Sequence, residues 1–207
     1  MTIETFVALI AFLFPLAYSP GPGNTFFAAI GASKGLRLAI PALAGYHVAT
    51  FVVTAAIGLG LGMTVLNEPV FAKILSAIGS CYVLWLGIQF LRAARAKSSG
   101  EARQDSPAPG LGFKDGAVVL LLNPKAYYII GLLFTQFLHP DDERLWQVLS
   151  ITTVFTLNNL LAFIAWALGG AALTHLFRGA NAGKWIDYVF AASLIGVAIW
   201  MAVPLFA

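Results

Sequence analysis

Long apolar runs separated by short polar segments dominate the chain. Six stretches are mostly apolar over about 20 residues or more, the length that a helix needs to cross a bilayer. They cover residues 3–32, 38–66, 70–91, 113–138, 145–176 and 185–206. Their apolar residues are continuous rather than alternating, which argues against an outer-membrane barrel. The pattern predicts an all-α integral membrane protein with six transmembrane helices.

Proline interrupts the first and the fourth of these spans. The first is broken at Ser19-Pro20-Gly21-Pro22-Gly23 and the fourth at Asn123-Pro124-Lys125. Proline removes an N–H donor and glycine permits unusual backbone angles, so carbonyls are left without helical partners. Such backbone is tolerated at membrane depth only where it is buried in protein or lines a wet cavity.

The broken spans occupy corresponding places in two halves of the chain. Residues 1–91 hold three spans, 92–110 form a polar linker rich in Ala, Ser and Pro, and 111–207 hold three more. An odd number of spans in each half gives the halves opposite orientations. Interrupted helices at matching positions indicate a transporter with inverted repeats. We therefore expect two inverted three-helix repeats within one transmembrane domain.

Composition supports a membrane protein and excludes other classes. Hydrophobic residues make up 59% of the 207 residues and charged residues only 10%, against about 25% charged in soluble domains. This excludes a soluble globular or disordered protein. No basic, aromatic-laced face is available for nucleic acid. The single cysteine, Cys81, excludes a thiol–disulfide carrier, which needs a cysteine pair. We expect no metal and no cofactor.

Basic residues are distributed unevenly among the loops. Nine lie after the first, third and fifth spans, one lies after the fourth, and the loop after the second has none. The positive-inside rule then places both termini outside and the linker in the cytoplasm of a bacterial inner membrane. The nine are Lys34, Arg37, Arg92, Arg95, Lys97, Arg103, Lys114, Arg178 and Lys184.

The first break is a candidate part of the substrate pathway. It comprises Pro20, Gly21, Pro22, Gly23 and Asn24. Asn24 is predicted to cap the second half-helix, whose N-terminus attracts anions such as a substrate carboxylate. The alternative is a span that ends at proline and is followed by an interfacial amphipathic helix.

Asn123, Pro124 and Lys125 form the second candidate segment. Lys125 lies near the middle of an apolar stretch, and a charge at that depth is costly and marks a functional site by default. It can neutralise a substrate carboxylate or pair with the carbonyls that the breaks release. The alternatives are that it only stabilises the broken backbone or that it reaches along a shorter span to the interface.

Polar side chains inside the second and fifth spans complete the candidate pathway. Asn158 and Asn159 lie in the fifth, where Thr152, Thr156 and Asn159 share one helical face. Such groups either line a path or bond neighbouring helices. His47 is the histidine well inside a span, and it either carries protons or only packs. No Asp or Glu lies deep in any span, so no carboxylate proton relay is predicted.

Gly58 and Gly62 have the spacing of a helix-packing motif, which by default means packing and permits a homodimer.

The alternative to a transporter is a membrane-embedded enzyme, a passive channel or a structural subunit. An enzyme needs a nucleophile with its base or clustered metal ligands. The predicted spans have no paired carboxylates, and the chain has no HExxH motif and no cysteine pair.

An ordered set of motifs resembles the LysE/RhtB family of bacterial amino-acid exporters. The set comprises Ser19-Pro20-Gly21-Pro22 with Asn24, Lys34-Gly35, Tyr82-Val83-Leu84-Trp85-Leu86-Gly87 and Leu122-Asn123-Pro124-Lys125. The resemblance covers essentially the whole chain. It implies a proton-coupled exporter that works by alternating access on a small zwitterionic substrate.

Two subgroups share further features with the chain. Pro22-Gly23-Asn24 and Trp166-Ala167-Leu168 are similar to exporters of cysteine and O-acetylserine, and Gly87-Ile88-Gln89 is similar to homoserine and threonine exporters. Many members carry an acidic residue or Asn at the position of Gly23 and an acidic residue at that of Asn158 or Asn159. Their absence here argues against a cationic substrate. We therefore expect an exporter of neutral amino acids or close derivatives, and not an enzyme.

Overall fold

A computed structural model describes residues 1–61, 68–98, 111–139, 144–176 and 182–206. Within these residues the secondary structure is helical, as predicted, and a short 3₁₀ turn, Val203–Leu205, ends the last helix. The helices are α1 (Ile3–Tyr18), α2 (Pro22–Lys34), α3 (Leu36–Gly58), α4 (Pro69–Ser98), α5 (Phe113–Leu121), α6 (Pro124–Phe137), α7 (Arg144–Leu176) and α8 (Ala182–Ala202).

Four of the described helices are long and apolar enough to cross a membrane, and two bent pairs bring the number to as many as six. The chain bends by 63° between helices α1 and α2 and by 64° between α5 and α6. Both bends fall at the predicted proline breaks. The predicted interruptions of the first and fourth spans are therefore confirmed. The inverted relationship between the halves stays a prediction.

Two helix boundaries differ from the sequence prediction. Helix α3 ends at Gly58 rather than near residue 66, because a turn follows in which Gly60 has a positive φ of 94°. Helix α4 continues to Ser98, seven residues into the predicted linker. Arg, Ala and Lys fill most of that extension and are good helix formers, which explains the added two turns. The rest of the linker and Gly62 lie outside the described residues.

The two halves of the chain pack onto each other rather than forming separate bundles. The most extensive contacts join α4 to α8, α2 to α7 and α3 to α5. Helix α2 is enclosed, and every residue from Pro22 to Ala32 is buried. Its large side chains, Phe26, Phe27 and Ile30, have no exposed surface. The polar break before α2 is thereby held inside the protein.

Two of these helix pairs touch through their backbones. Gly170 of α7 lies against the carbonyl oxygen of Ala28, and Gly31 of α2 lies against that of Ala167. A Cβ atom at either glycine would overlap the opposite oxygen. Glycine lets helix backbones approach this closely. Each helix thus presents one glycine to the other.

The same reciprocal arrangement joins α3 to α5. Gly45 lies against the carbonyl of Phe113, and Gly116 lies against that of Ala42. Lys34 ends α2 and Leu36 begins α3, so both pairs of contacts lie at one end of the bundle. We call this the linker end, since α4 finishes and α5 begins there. We call the four contacts the reciprocal glycine contacts.

Candidate functional site

The two proline breaks meet in space. The Nζ atom of Lys125 donates hydrogen bonds to the carbonyl of Ser19 at 3.0 Å, to its hydroxyl at 2.9 Å and to the carbonyl of Pro20 at 3.3 Å. Residues 106 positions apart in sequence are joined in this way. We call residues 19–24 and 123–125 together the break junction.

Each carbonyl released by the first break has a donor. Asn24 Nδ2 donates to the carbonyl of Ala17 at 2.8 Å, and Trp166 Nε1 donates to that of Tyr18 at 3.2 Å. Lys125 Nζ donates to the carbonyls of Ser19 and Pro20. Buried carbonyls are costly when unpaired, so these donors allow the helix to stop inside the protein.

The predicted capping role of Asn24 is wrong. Helix α2 begins two residues earlier, at Pro22, and Gly21 holds the N-cap position without a side-chain bond. Proline is suited to the first helical position because its φ is already helical and its missing N–H has no partner to lose. Asn24 instead uses its amide to bind the end of α1.

The second break has a side-chain cap. Asn123 Oδ1 accepts from the backbone N–H of Lys125 at 3.1 Å, and Pro124 takes the first helical position of α6. Asn123 Nδ2 also donates to the hydroxyl of Tyr46 at 3.3 Å. The junction is therefore attached to α3 as well as to α6 and α7.

Glycine leaves space for neighbouring side chains in the first break. A Cβ atom at Gly21 would lie 3.0 Å from Cδ of Lys125. One at Gly23 would lie 2.6 Å from the ring of Phe163 and 3.2 Å from that of Tyr46. Any larger residue at Gly23 would displace these rings, which explains why no acidic side chain is accommodated there.

Aromatic rings separate the break junction from the linker end. Tyr46 and Phe163 have ring centroids 4.7 Å apart, Phe27 lies 5.1 Å from Phe163, and His47 lies 5.4 Å from Phe163. Phe27 and Tyr46 are almost completely buried. This cluster packs directly on the chain at Gly23.

The polar residues predicted in the second and fifth spans are buried, and two of them, His47 and Asn159, lie next to each other. His47 lies on α3, and the main chain of Asn159 on α7 lies beside its ring. Asn158 is also buried, and its Nδ2 atom has no hydrogen-bond partner in the structure. Asn159 lies near Tyr46, which connects it to the junction. Asn158 is not brought into these contacts.

A cavity of about 520 Å³ lies beside the first break. Pro20, Gly21 and Thr25 form one wall, and α8 forms the other through residues that include Ser193 and Trp200. Trp166 lines both this cavity and a second one along α7. The first cavity therefore gives access to the break junction from the side of α8.

Sequence reasoning missed three residues of this site. Trp166 entered only as part of a subgroup motif, and Tyr46 and Phe163 resemble ordinary core aromatics by their apolar surroundings. No local pattern distinguishes them, because their role comes from contacts with chain segments far away in sequence. Ser19 was recognised as part of the motif but not as the acceptor for Lys125.

Comparison with known protein families gives the arrangement a context. The family model described as LysE type translocator matches residues 14–204, which include both breaks. The chain belongs to the LysE family. As a member of this family it is a translocator rather than an enzyme, and its helices make it a multi-pass membrane protein.

Named relatives of this LysE protein are efflux proteins. A homoserine/homoserine lactone efflux protein of Salmonella typhimurium is 32% identical over 156 residues, covering 74% of this chain and 75% of the relative. A cysteine/O-acetylserine efflux protein of Klebsiella pneumoniae is 27% identical over 204 residues, covering 98% of this chain and all of the relative. No solved structure matches significantly.

These relatives agree with the resemblance seen in the motifs. Both named groups of efflux proteins handle amino acids or their derivatives, as their names state. The predicted identification as an amino-acid exporter family is therefore confirmed. The roles of the individual site residues stay predictions.

Proposed function

We propose that this LysE protein exports small neutral amino acids or close derivatives across the bacterial inner membrane. The observation that carries the proposal is the contact between Lys125 and the carbonyls of Ser19 and Pro20. It places a positive charge and two carbonyl acceptors at the meeting point of two broken helices. Those are the partners that an amino-acid zwitterion needs.

When the substrate binds, it replaces the contact between Lys125 and the carbonyls of Ser19 and Pro20. Its carboxylate takes the ammonium of Lys125, and its own ammonium takes the carbonyls of Ser19 and Pro20. The N-terminus of α6, capped by Asn123, adds a favourable dipole for the carboxylate. Gly21 has no side chain to obstruct Lys125 on that side. Charge is thus conserved within the junction when the substrate binds.

Neutral substrates fit the charges of the surrounding helices. Helices α2, α3, α6 and α7 contain no Asp or Glu between their first and last residues. A cationic side chain would therefore be buried without a partner, at a cost of several kcal/mol. Homoserine, cysteine and O-acetylserine, which appear in the names of the relatives, have neutral side chains.

Alternating access follows from the proposed inverted halves. Both termini lie outside and the linker end faces the cytoplasm, according to the distribution of basic residues. The reciprocal glycine contacts join α2 to α7 and α3 to α5 at that end. We propose that separating them opens the junction to the cytoplasm, and that proton exchange through His47 drives the cycle. A homodimer stays a prediction.

Lys125 is expected to discriminate between substrates with and without a carboxylate. Substitution of Lys125 by alanine should lower counterflow of homoserine in proteoliposomes by about tenfold or more, because a charge-assisted bond is lost. Homoserine lactone, which has no carboxylate, should lose much less. The measurement is uptake of each labelled compound into vesicles preloaded with the same unlabelled compound.

Lys73, an exposed lysine of α4, provides the matched control. Lys73→Ala should transport both compounds as the unaltered protein does, and Lys125→Arg should retain part of the homoserine flux. Equal losses for homoserine and its lactone would show that Lys125 only stabilises the broken backbone. Flux that rises linearly with concentration, without saturation, would instead indicate a channel.

A further inference from the structure

Several buried hydroxyl groups between α3 and α7 have no hydrogen-bond partner in the structure. They are Oγ1 of Thr54, Thr152 and Thr156, and Nε2 of His47 is likewise without a partner. Each of these four residues is at least nine-tenths buried. Buried polar atoms are nearly always bonded to protein or water, so a cluster of exceptions indicates a place that something polar visits.

The antiparallel register of α3 and α7 brings these groups together. Arg144 donates to the carbonyl of Gly58 at 3.2 Å, and Gly58 lies against Val148. Farther along, the ring of His47 lies beside Phe163 and the main chain of Asn159. Between these two contacts, residues of α3 lie opposite residues of α7 in antiparallel order. Thr54 therefore lies opposite Thr152.

We call the facing residues the α3–α7 polar interface. It comprises His47, Thr50 and Thr54 of α3 and Thr152, Thr156 and Asn159 of α7, and each set is spaced by three or four positions on one helical face. Thr50 is the member whose hydroxyl is bonded, to the carbonyl of Tyr46 at 2.8 Å. The interface extends from His47 to Thr54 over about 10 Å, at 1.5 Å for each helical residue.

The hydrogen bond of His47 fixes which ring nitrogen carries the proton. Nδ1 lies 2.7 Å from the carbonyl of Leu43, and a carbonyl can only accept, so Nδ1 is protonated. In the neutral ring Nε2 is then an acceptor, and its lone pair can bind a proton. It lies at the inner end of the row of threonine hydroxyls, each of which both donates and accepts.

We propose that the α3–α7 polar interface is the proton route of this exporter, leading from the end opposite the linker to Nε2 of His47. Waters bridge the hydroxyls of Thr54, Thr152 and Thr156, and a proton relayed along them binds the Nε2 lone pair. The ring becomes an imidazolium that keeps its Nδ1–H bond to Leu43. The same proton returns to water when the junction opens at the linker end. The proposal rests on proton-coupled export as the function.

Few other titratable groups face this route. Helix α7 carries Arg144 and His175 at its two ends, and α2 carries Lys34 at its last residue. On α5, Asp115 binds the backbone of Gly112 and the hydroxyl of Tyr82. The remaining groups are Arg37 and Tyr46 on α3, Lys114 on α5, Lys125, Tyr127 and Tyr128 on α6, and Glu4 and Tyr18 on α1, which packs against α7. His47 is therefore the group on this route with an ordinary pKa near neutrality.

Thr54→Val and Thr152→Val test the route with an isosteric change. Each should lower accumulation of homoserine driven by a pH gradient in proteoliposomes by about tenfold, because a water bridge is lost. Each should leave counterflow of homoserine unchanged, since exchange of substrate for substrate moves no net proton. His47→Asn, which keeps a donor for Leu43, should abolish gradient-driven accumulation.

Thr153→Val is the matched control on the same helix. The side chain of Thr153 is exposed and its hydroxyl is bonded to the carbonyl of Leu149 at 2.7 Å, so both assays should be unaffected. Thr152→Ser should restore gradient-driven accumulation, which also covers a valine variant that folds poorly. Wild-type accumulation in both valine variants would overturn the proposal, as would equal losses in the two assays.

A failure of the proposed export function would give a different result from a failure of the proton route. If the unaltered protein shows no counterflow of any neutral amino acid, export of that class is excluded. If counterflow is present but a pH gradient drives no accumulation, the proton route alone is excluded.

Discussion

Replacing Gly170 with alanine should strongly destabilise the folded LysE protein and lower its transport. A Cβ atom there overlaps the carbonyl oxygen of Ala28, and the obstacle is backbone that cannot rotate away. Helices α2 and α7 would have to separate by roughly 1 Å to restore an ordinary contact distance. We expect a loss of about 3 kcal/mol in the free energy of unfolding, at the upper end for overpacked sites. Thermal unfolding in detergent measures it.

The adjacent residue gives a control that differs by one position. Gly169 has open space where its Cβ would lie, so Gly169→Ala adds helix propensity without a clash. That change should be neutral or stabilising, by up to about 1 kcal/mol. Equal unfolding temperatures for Gly169→Ala and Gly170→Ala would contradict the reciprocal glycine contacts.

Aspartate in place of Asn24 should remove transport. The amide of Asn24 donates to the carbonyl of Ala17 across 2.8 Å in a buried position. Aspartate has the same shape but would direct an oxygen at that carbonyl. An uncompensated buried charge costs about 3–5 kcal/mol. We expect little folded protein, measured by size-exclusion chromatography in detergent, and no counterflow of homoserine.

The same substitution at Asn123 should be tolerated much better. Asn123 Oδ1 already accepts from the backbone of Lys125, and Tyr46 can turn its hydroxyl to donate to a carboxylate. Aspartate is as good an N-cap as asparagine and favours the positive end of α6. If Asn123→Asp were as damaging as Asn24→Asp, the different hydrogen-bond roles of the two residues would be refuted.

The spans, both breaks and the family could be predicted because each depends on local or repeated sequence signals. Apolar runs of sufficient length indicate that the chain lies in a lipid bilayer, and the prolines at the two breaks interrupt the helices there. The position of Lys125 beside a break already predicted two alternative roles, which are to neutralise a substrate carboxylate or to pair with the carbonyls that the breaks release. The structure shows the contact with the released carbonyls, which sequence reasoning could state only as one of them.

Contacts between distant segments could not be predicted. Ala28 and Gly31 have the same three-residue spacing as Ala167 and Gly170, but that spacing is common in membrane helices and does not identify a partner. The role of Asn24 was mistaken because Asn is a frequent N-cap, while Pro22 had already begun the helix. The register of α3 against α7 likewise depends on the whole bundle.

The enclosure of α2 has a consequence for biosynthesis. Its covering comes mainly from α7, with further contacts from α8 and α3, and α7 and α8 follow more than a hundred residues later in the chain. Proteins are synthesised from the N-terminus at about 5–20 residues per second, so α2 is made many seconds before its main neighbour. During that interval the polar segment 19–24 lacks Lys125 and Trp166. The first half therefore reaches its final arrangement only after the second half has entered the membrane.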